Sequence, residues 1–302
     1  MLAAIVLALV IRRLAEQWGA VKLALDEARP NWLALAASGV IVLATYAVLI
    51  ETWRVLLRGW QHEIPFIDAA RIWTTSNLGK YLPGKVWSIT ALVVMTRAYG
   101  VSATEGAAAS VLVTLINTIV GFVVAIVAGA SLLRLPPYAV IVIAVMGAAV
   151  LVSPTALPKL GALAGRVLKR DIVLRPLAHR VLLIAAAFTA MAWLMYGVAF
   201  WLFTIGVLGS ASGALRDYVA VFAGSYLLGF VAIFSPAGVG VREGAMGIAL
   251  RRAGFAVGPA YLLVVASRLW LTALEVLPPL IFLAFVRRRR LSTHEEDHSP
   301  TR

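Results

Sequence analysis

Apolar runs long enough to cross a bilayer recur along the chain at about 31–50, 106–133, 137–153, 181–208 and 257–286. Pro136 and Pro137 mark a tight turn between the second and third. The opening MLAAIVLALVIRR is shorter, about eleven apolar residues against the roughly 20 that a spanning helix needs. It lacks the basic n-region and A-x-A site of a cleaved leader, and it reads as the first membrane helix. Two regions break the pattern. Residues 66–97 and 216–253 each hold two short apolar stretches around a Pro/Gly turn, neither long enough to cross alone. They read as re-entrant helical hairpins, because irregular backbone survives at membrane depth only where protein buries it or water reaches it. The expected fold is therefore all-α: a polytopic integral membrane protein with about 6 spanning helices plus two re-entrant hairpins.

Composition agrees. The chain is 62% hydrophobic and 14% charged, against about a quarter charged in soluble domains, so too little polar surface exists to coat a globule in water. The net charge of +13 points to loops rather than to nucleic acid, since no basic stretch carries interleaved aromatics. Segment 154–180 sets Lys159, Arg166, Lys169, Arg170, Arg175 and Arg180 against Asp171, and residues 287–290 are RRRR. Both are expected on the cytoplasmic side, with both termini, in the cytoplasmic (inner) membrane. Loop 12–30 then falls outside despite Arg12, Arg13, Lys22 and Arg29. Residues 1–290 form the membrane domain, with 154–180 as a basic linker and 291–302 as a disordered cytoplasmic tail. Trp18, Trp32, Trp53, Trp60 and Trp73 lie near predicted span ends, as interfacial anchors do.

The topology implies two halves of opposite orientation, about 31–134 and 181–286. Pro83 aligns with Pro236 at an offset of 153, and TRAYGVSATEGAAA (96–109) resembles RRAGFAVGPAYLL (251–263), pairing Gly100 with Gly254. Inverted repeats with broken helices meeting near the midplane are a recurrent transporter design.

Charged groups at membrane depth cost about 2.5–3.5 kcal/mol each on insertion scales and are functional candidates by default. Here these are Lys80, Lys85, Arg97, Arg242, Glu243, Arg268 and Glu275. Arg268, Thr272 and Glu275 share one helical face, and Arg268 can pair with Glu275 or Glu243 simply to neutralise buried charge. In NLGKYLPGKVWS (77–88), Pro83 breaks the helix, Gly79 and Gly84 allow close backbone approach, and Lys80 and Lys85 add positive charge. A half-helix starting after such a break points free N–H groups toward the turn, which suits an anion. FSPAGVGVREG (234–244) repeats the combination with Ser235, Pro236, Gly238, Gly240 and Arg242, whose guanidinium holds phosphate oxygens in pairs. The bland alternative has the lysines snorkelling to the interface and the glycines packing helices. No cysteine, nucleophile elbow, Walker loop or H-E-x-x-H is present, so no cofactor is expected and the chain does not read as an enzyme.

In this order, LGKYLPGKVW (78–87), the R-A-Y-G-V turn (97–101), FSPAGVGVREG and Arg268 resemble the membrane domain of lysylphosphatidylglycerol synthases and its stand-alone relatives over about 5–286. That domain is the flippase half of the multiple-peptide-resistance proteins. The resemblance implies a lipid-translocating domain for an aminoacylated phospholipid or another amphiphile. Stand-alone relatives are linked to hopanoid, glycolipid or polyprenyl-linked sugar pathways. The chain carries no soluble aminoacyl-transferring domain, so synthase activity is not expected. It departs from many relatives at Val86-Trp87-Ser88, where they continue with Gly-Glu, and at Thr114 and Asn117, where acidic residues are common. The expected function is a flippase or transporter for an anionic or phosphate-bearing lipid: a phospholipid, a glycolipid or a polyprenyl-linked lipid. Its alternative is a non-transporting membrane partner that presents a lipid to a glycosyltransferase or other lipid-modifying enzyme.

Overall fold

The structure, a computed structural model, describes residues 18–81, 87–152, 176–232 and 238–296. Among them the protein is all-helical, with ten α-helices in a polytopic membrane arrangement. These are α1 (Trp18–Glu27), α2 (Trp32–Gly59), α3 (Phe66–Asn77), α4 (Trp87–Thr96) and α5 (Ala103–Ala128), followed by α6 (Pro137–Val152), α7 (His179–Leu208), α8 (Leu215–Val231), α9 (Val241–Arg252) and α10 (Val257–Glu296). Among the described residues four stretches are long and apolar enough to cross a membrane: α2, α5, α7 and Val257–Phe282 of α10. Leu33, Ile141 and Leu269 are exposed on the outer surface, as lipid-facing side chains would be.

Three differences from the sequence reading have local causes. Part of the expected external loop 12–30 is helical: α1 packs through Val21 and Ala24 on Leu262 of α10. Lys22, Asp26 and Glu27 interrupt its apolar run, and this hides the helix from a hydropathy window. Helix α6, expected as a span, has 16 residues, or about 24 Å at 1.5 Å per residue. Helix α10 continues to Glu296, into the stretch read as a tail. The expected first helix and most of the basic linker lie outside the described residues.

The core is built on α2 and α7, which run antiparallel. Near one end, the Asn31 N–H donates to the Gly206 carbonyl at 3.0 Å, and the Ser38 hydroxyl donates to Ala199 O. Near the other, Gly59 packs on Leu177 and Val181. A methyl group at Gly206 would come 3.0 Å from Leu35 Cα, so the small residue permits near-contact of the backbones, as in small-residue membrane interfaces.

Both regions expected as hairpins are helix–break–helix elements with their arms packed together: α3 with α4, and α8 with α9. Residues 82–86 and 233–237, which include Pro83, Gly84, Lys85, Ser235 and Pro236, lie outside the described residues. In each pair a glycine near the end of the first arm sets the approach. A Cβ at Gly79 would lie 2.6 Å from Ser88 N; one at Gly229 would lie 2.7 Å from Arg242 Cβ. Arms α3 and α4 have 12 and 10 residues, or about 18 and 15 Å, well short of the roughly 30 Å hydrocarbon core.

Each pair ends in the same turn. Gly100 and Gly254 both adopt left-handed φ, +73° and +95°, and their N–H groups donate to Arg97 O and Arg251 O at 3.1 Å. A residue with a Cβ avoids that conformation at a cost of about 1–2 kcal/mol, which explains glycine at both aligned positions. A long helix, α5 or α10, then follows.

Candidate functional site

The ends of both hairpins that flank the breaks reach one cavity of about 210 Å³. Ser76 and Asn77 at the end of α3, Ser88 at the start of α4, and Tyr226 and Phe230 near the end of α8 line it. Helix α5 adds Thr114 and Asn117, α2 adds Tyr46 and Trp53, α7 adds Tyr196, and α10 adds Glu275. Rings form a continuous path across it. Tyr46 meets Trp73 at 5.9 Å and Tyr196 at 6.5 Å; Tyr196 stacks on Phe222 at 5.1 Å, and Phe222 stacks on Tyr226 at 6.4 Å.

That path ends on Arg242. Its guanidinium lies over Tyr226 at 4.9 Å and Phe222 at 5.6 Å, and the residue is only 7% exposed. Desolvated cation–π contacts of this kind contribute about 2 kcal/mol or more. Its Nη2 is buried without a hydrogen-bond partner among the described residues. Arg268, Glu275 and Glu243 are its charged neighbours. The quartet is formally neutral, two arginines with two glutamates, which keeps buried charge from standing uncompensated.

Glu243 has two roles. Its carboxylate accepts from the Gly240 N–H at 2.5 Å, closing the first turn of α9, and lies 3.6 Å from Arg268 Nε. The N-terminus of α9, expected from the sequence to offer free N–H groups to an anion, is thus partly occupied by the protein's own carboxylate. The Arg268–Glu243 pairing is one of the two the sequence allowed, and Glu275 lines the cavity.

Arg242, Glu243, Arg268 and Glu275 therefore come together. Gly238 and Gly240 form the turn into α9 with φ of +70° and +87°. Lys80 sits in the short 3-10 turn Leu78–Tyr81, and Arg97 is exposed in the turn Arg97–Tyr99, outside the cavity lining. Pro83, Gly84, Lys85, Ser235 and Pro236 lie outside the described residues.

Sequence reasoning missed Trp53, Tyr196 and Tyr226. Trp53 and Trp60, expected as interfacial anchors, are buried, and Trp53 lines the cavity; Trp32 is exposed as an anchor would be. A larger recess of about 360 Å³ lies between Arg71, Tyr99 and Phe282. Its arginine is already held by Asp68 and Tyr99, each at 3.5 Å, and it lacks the buried charge quartet. Chemistry rather than size therefore makes the smaller cavity the candidate site. Among the described residues no three His, Asp or Glu side chains gather as a metal site.

In comparisons with known proteins, the family model described as the lysylphosphatidylglycerol synthase TM region matches residues 1–278. No curated protein matches the chain.

Proposed function

Because the chain belongs to the family of lysylphosphatidylglycerol synthase TM regions, we propose that it is a lipid flippase whose cavity admits the headgroup of an anionic or phosphate-bearing membrane lipid. The single observation that carries this reading is Arg242: a buried guanidinium, stacked on two rings, one of which (Tyr226) lines the cavity, with Nη2 unpartnered among the described residues. A buried donor of that kind is costly to leave unmatched, and a phosphate oxygen matches it with a short charge-assisted bond. The neutral quartet lets the anion come and go. When the anion leaves, Glu275 and Glu243 keep Arg242 compensated; when it binds, it shares the guanidinium with them.

In this mechanism the acyl chains stay outside. Ile67 of α3, Val94 of α4 and Ile248 of α9 are exposed apolar residues on the hairpins, which suits arms that lie at membrane depth against lipid. The two hairpins then act as re-entrant elements of an inverted repeat, one from each leaflet. The antiparallel α2 and α7, the shared order of long helix, two short arms and long helix, and the matching Gly100 and Gly254 turns support it. The end of the molecule near Gly59 and Leu177 is taken as cytoplasmic, because the basic 154–180 linker joins it. The protein binds and moves lipid without changing it chemically.

Transport is tested with the full chain in liposomes containing lipids labelled with NBD on an acyl chain. Dithionite bleaches only outer-leaflet label in protein-free vesicles. Bleaching is expected to proceed into the inner-leaflet pool when the protein is present. Bleaching no deeper than in protein-free vesicles, for every anionic lipid tried, would remove transport and leave the lipid-presenting partner as the reading.

A further inference from the structure

We infer that the recess at the root of the first hairpin holds a resident anionic phospholipid of the cytoplasmic leaflet, a second lipid beside the one that is moved. The site lies outside the headgroup cavity and depends on the reading above only for which leaflet it faces.

The recess and the cavity are stacked along the same two elements. On α3, Arg71, Ile72 and Thr75 line the recess, whereas Trp73, Ser76 and Asn77 line the cavity. On α10, Phe282 borders the recess and Glu275 the cavity. Seven residues bring a helix back to nearly the same face, so these two lie one above the other, about 10 Å apart along the axis. Met95 at the end of α4 and Tyr99 in the turn after it close the third side. Arg71 is the sixth residue of α3, which puts the recess at the base of the hairpin, on the end taken as cytoplasmic.

The lining names the occupant. The Arg71 side chain is 39% exposed, and its contacts with Asp68 Oδ1 and Tyr99 Oη both run through Nη2 at 3.5 Å, beyond the usual 2.7–3.2 Å of such bonds. The rest of its donor fork has no partner among the described residues, so a phosphate oxygen binds there without first breaking a short bond. Asp68 keeps the guanidinium compensated when the recess is empty. Ile72, Met95 and Phe282 supply an apolar wall. Val94 and Ile281, next in sequence to Met95 and Phe282, are exposed, so apolar surface continues outward for the acyl chains. The RRRR of residues 287–290 begins five residues past Phe282 on α10, about 7.5 Å further along. Basic clusters just cytoplasmic of a spanning helix, and basic pockets between helices on that side, recruit anionic headgroups. A soluble phosphate would use the arginine but leave the apolar wall in water, and this favours a lipid.

The test is photo-crosslinking of the full chain in vesicles of phosphatidylglycerol and phosphatidylcholine in equal amounts. A benzophenone side chain replaces Ala98, which lines the recess and is exposed. Phosphatidylglycerol is expected to be captured about tenfold over phosphatidylcholine, the scale of one hydrogen bond to a charged group. Arg71→Gln should remove that preference, and Arg71→Lys should retain most of it, because the charge draws the headgroup. Tyr99→Phe keeps the ring and should weaken capture severalfold; it decides the point if Arg71→Gln does not fold. A benzophenone at Asn117 reports the cavity in the same vesicles. Arg71→Gln should leave capture at Asn117 intact, and Arg242→Met should leave capture at Ala98 intact. Loss of capture at Ala98 in Arg242→Met would make the recess lipid the moved lipid in transit and overturn the inference. Equal capture of the two lipids at Ala98, or an unchanged preference in Arg71→Gln, would overturn it too. Suppression of capture by excess inorganic phosphate would do the same and assign the recess to a soluble anion. Preferential capture at Ala98 without translocation removes transport alone; translocation without that preference removes this inference alone.

Discussion

Arg242→Ala is expected to slow lipid translocation by about two orders of magnitude, within the 2–5 kcal/mol seen when one partner of a buried hydrogen-bonded charge pair is truncated. The expectation follows from where the guanidinium sits. It is stacked on Phe222 and on Tyr226, which lines the cavity, and it is buried with Nη2 unpartnered among the described residues. Removing it takes one positive charge from beside Glu243 and Glu275, so an anionic headgroup loses the guanidinium that held it and meets a more negative surrounding. Arg242→Met separates chemistry from packing, because its length still covers the two rings and apolar replacement of buried charge is often neutral for stability. Arg242→Lys keeps the charge but loses the paired-donor fork, and it should fall between. Dithionite bleaching rates in proteoliposomes, with thermal unfolding as the fold control, measure all three. Equal rates for Arg242→Met and the parent chain would remove Arg242 from the site.

Gly229→Leu should both destabilise the protein and stop translocation. A Cβ at Gly229 would sit 2.7 Å from Arg242 Cβ and 3.3 Å from its Cα, so the arms of the second hairpin must separate and carry Arg242 with them. Gly238 makes the same contact from the other side: its own Cβ would come 2.8 Å from Gly229 O, and its φ of +70° is strained for other residues. Overpacking of this type costs about 1–3 kcal/mol. Gly224 in α8 and Gly244 in α9 are the controls, since nothing lies within 4 Å of a Cβ at either. Gly224→Ala and Gly244→Ala should be neutral or raise the unfolding temperature, because alanine gains up to about 1 kcal/mol over glycine in a helix. Thermal unfolding in detergent ranks the three; Gly229→Leu melting with the controls would mean that the arms do not meet at this glycine.

The long helices were legible because length and hydropathy suffice to define a span, and α2, α5 and α7 fall where their apolar runs predict. The two pairs of packed shorter helices were legible because the apolar runs at 66–97 and 216–253 are interrupted near their middles. Arg242, Glu243, Arg268 and Glu275 stood out because a charge in apolar sequence is rare enough to signal itself. Other parts of the site carried no such mark. Trp53 has the same sequence context as an interfacial anchor, and only the packing of α2 against its neighbours buries it. Thr114 satisfies its hydroxyl on Ser110 O one turn back, at 2.8 Å, so a hydropathy profile passes over it. Ser88, Thr114 and Asn117 stand out in the sequence only as departures from the residues common in relatives, and all three line the cavity. Which helices face one another is a tertiary fact, and it decides which polar residues make a site.

Photo-crosslinking tests headgroup occupancy of the cavity most directly. A benzophenone side chain is placed at Asn117, inside the cavity, and in a second protein at Leu269, 68% exposed on the outer face of α10. Both are irradiated in membranes, and the adducts are fragmented by mass spectrometry. Headgroup-linked lipid is expected at Asn117, with Arg242→Met abolishing it, while Leu269 captures acyl chains only. No lipid adduct at Asn117, or acyl-chain adducts at both positions alike, would contradict a headgroup site between the hairpins.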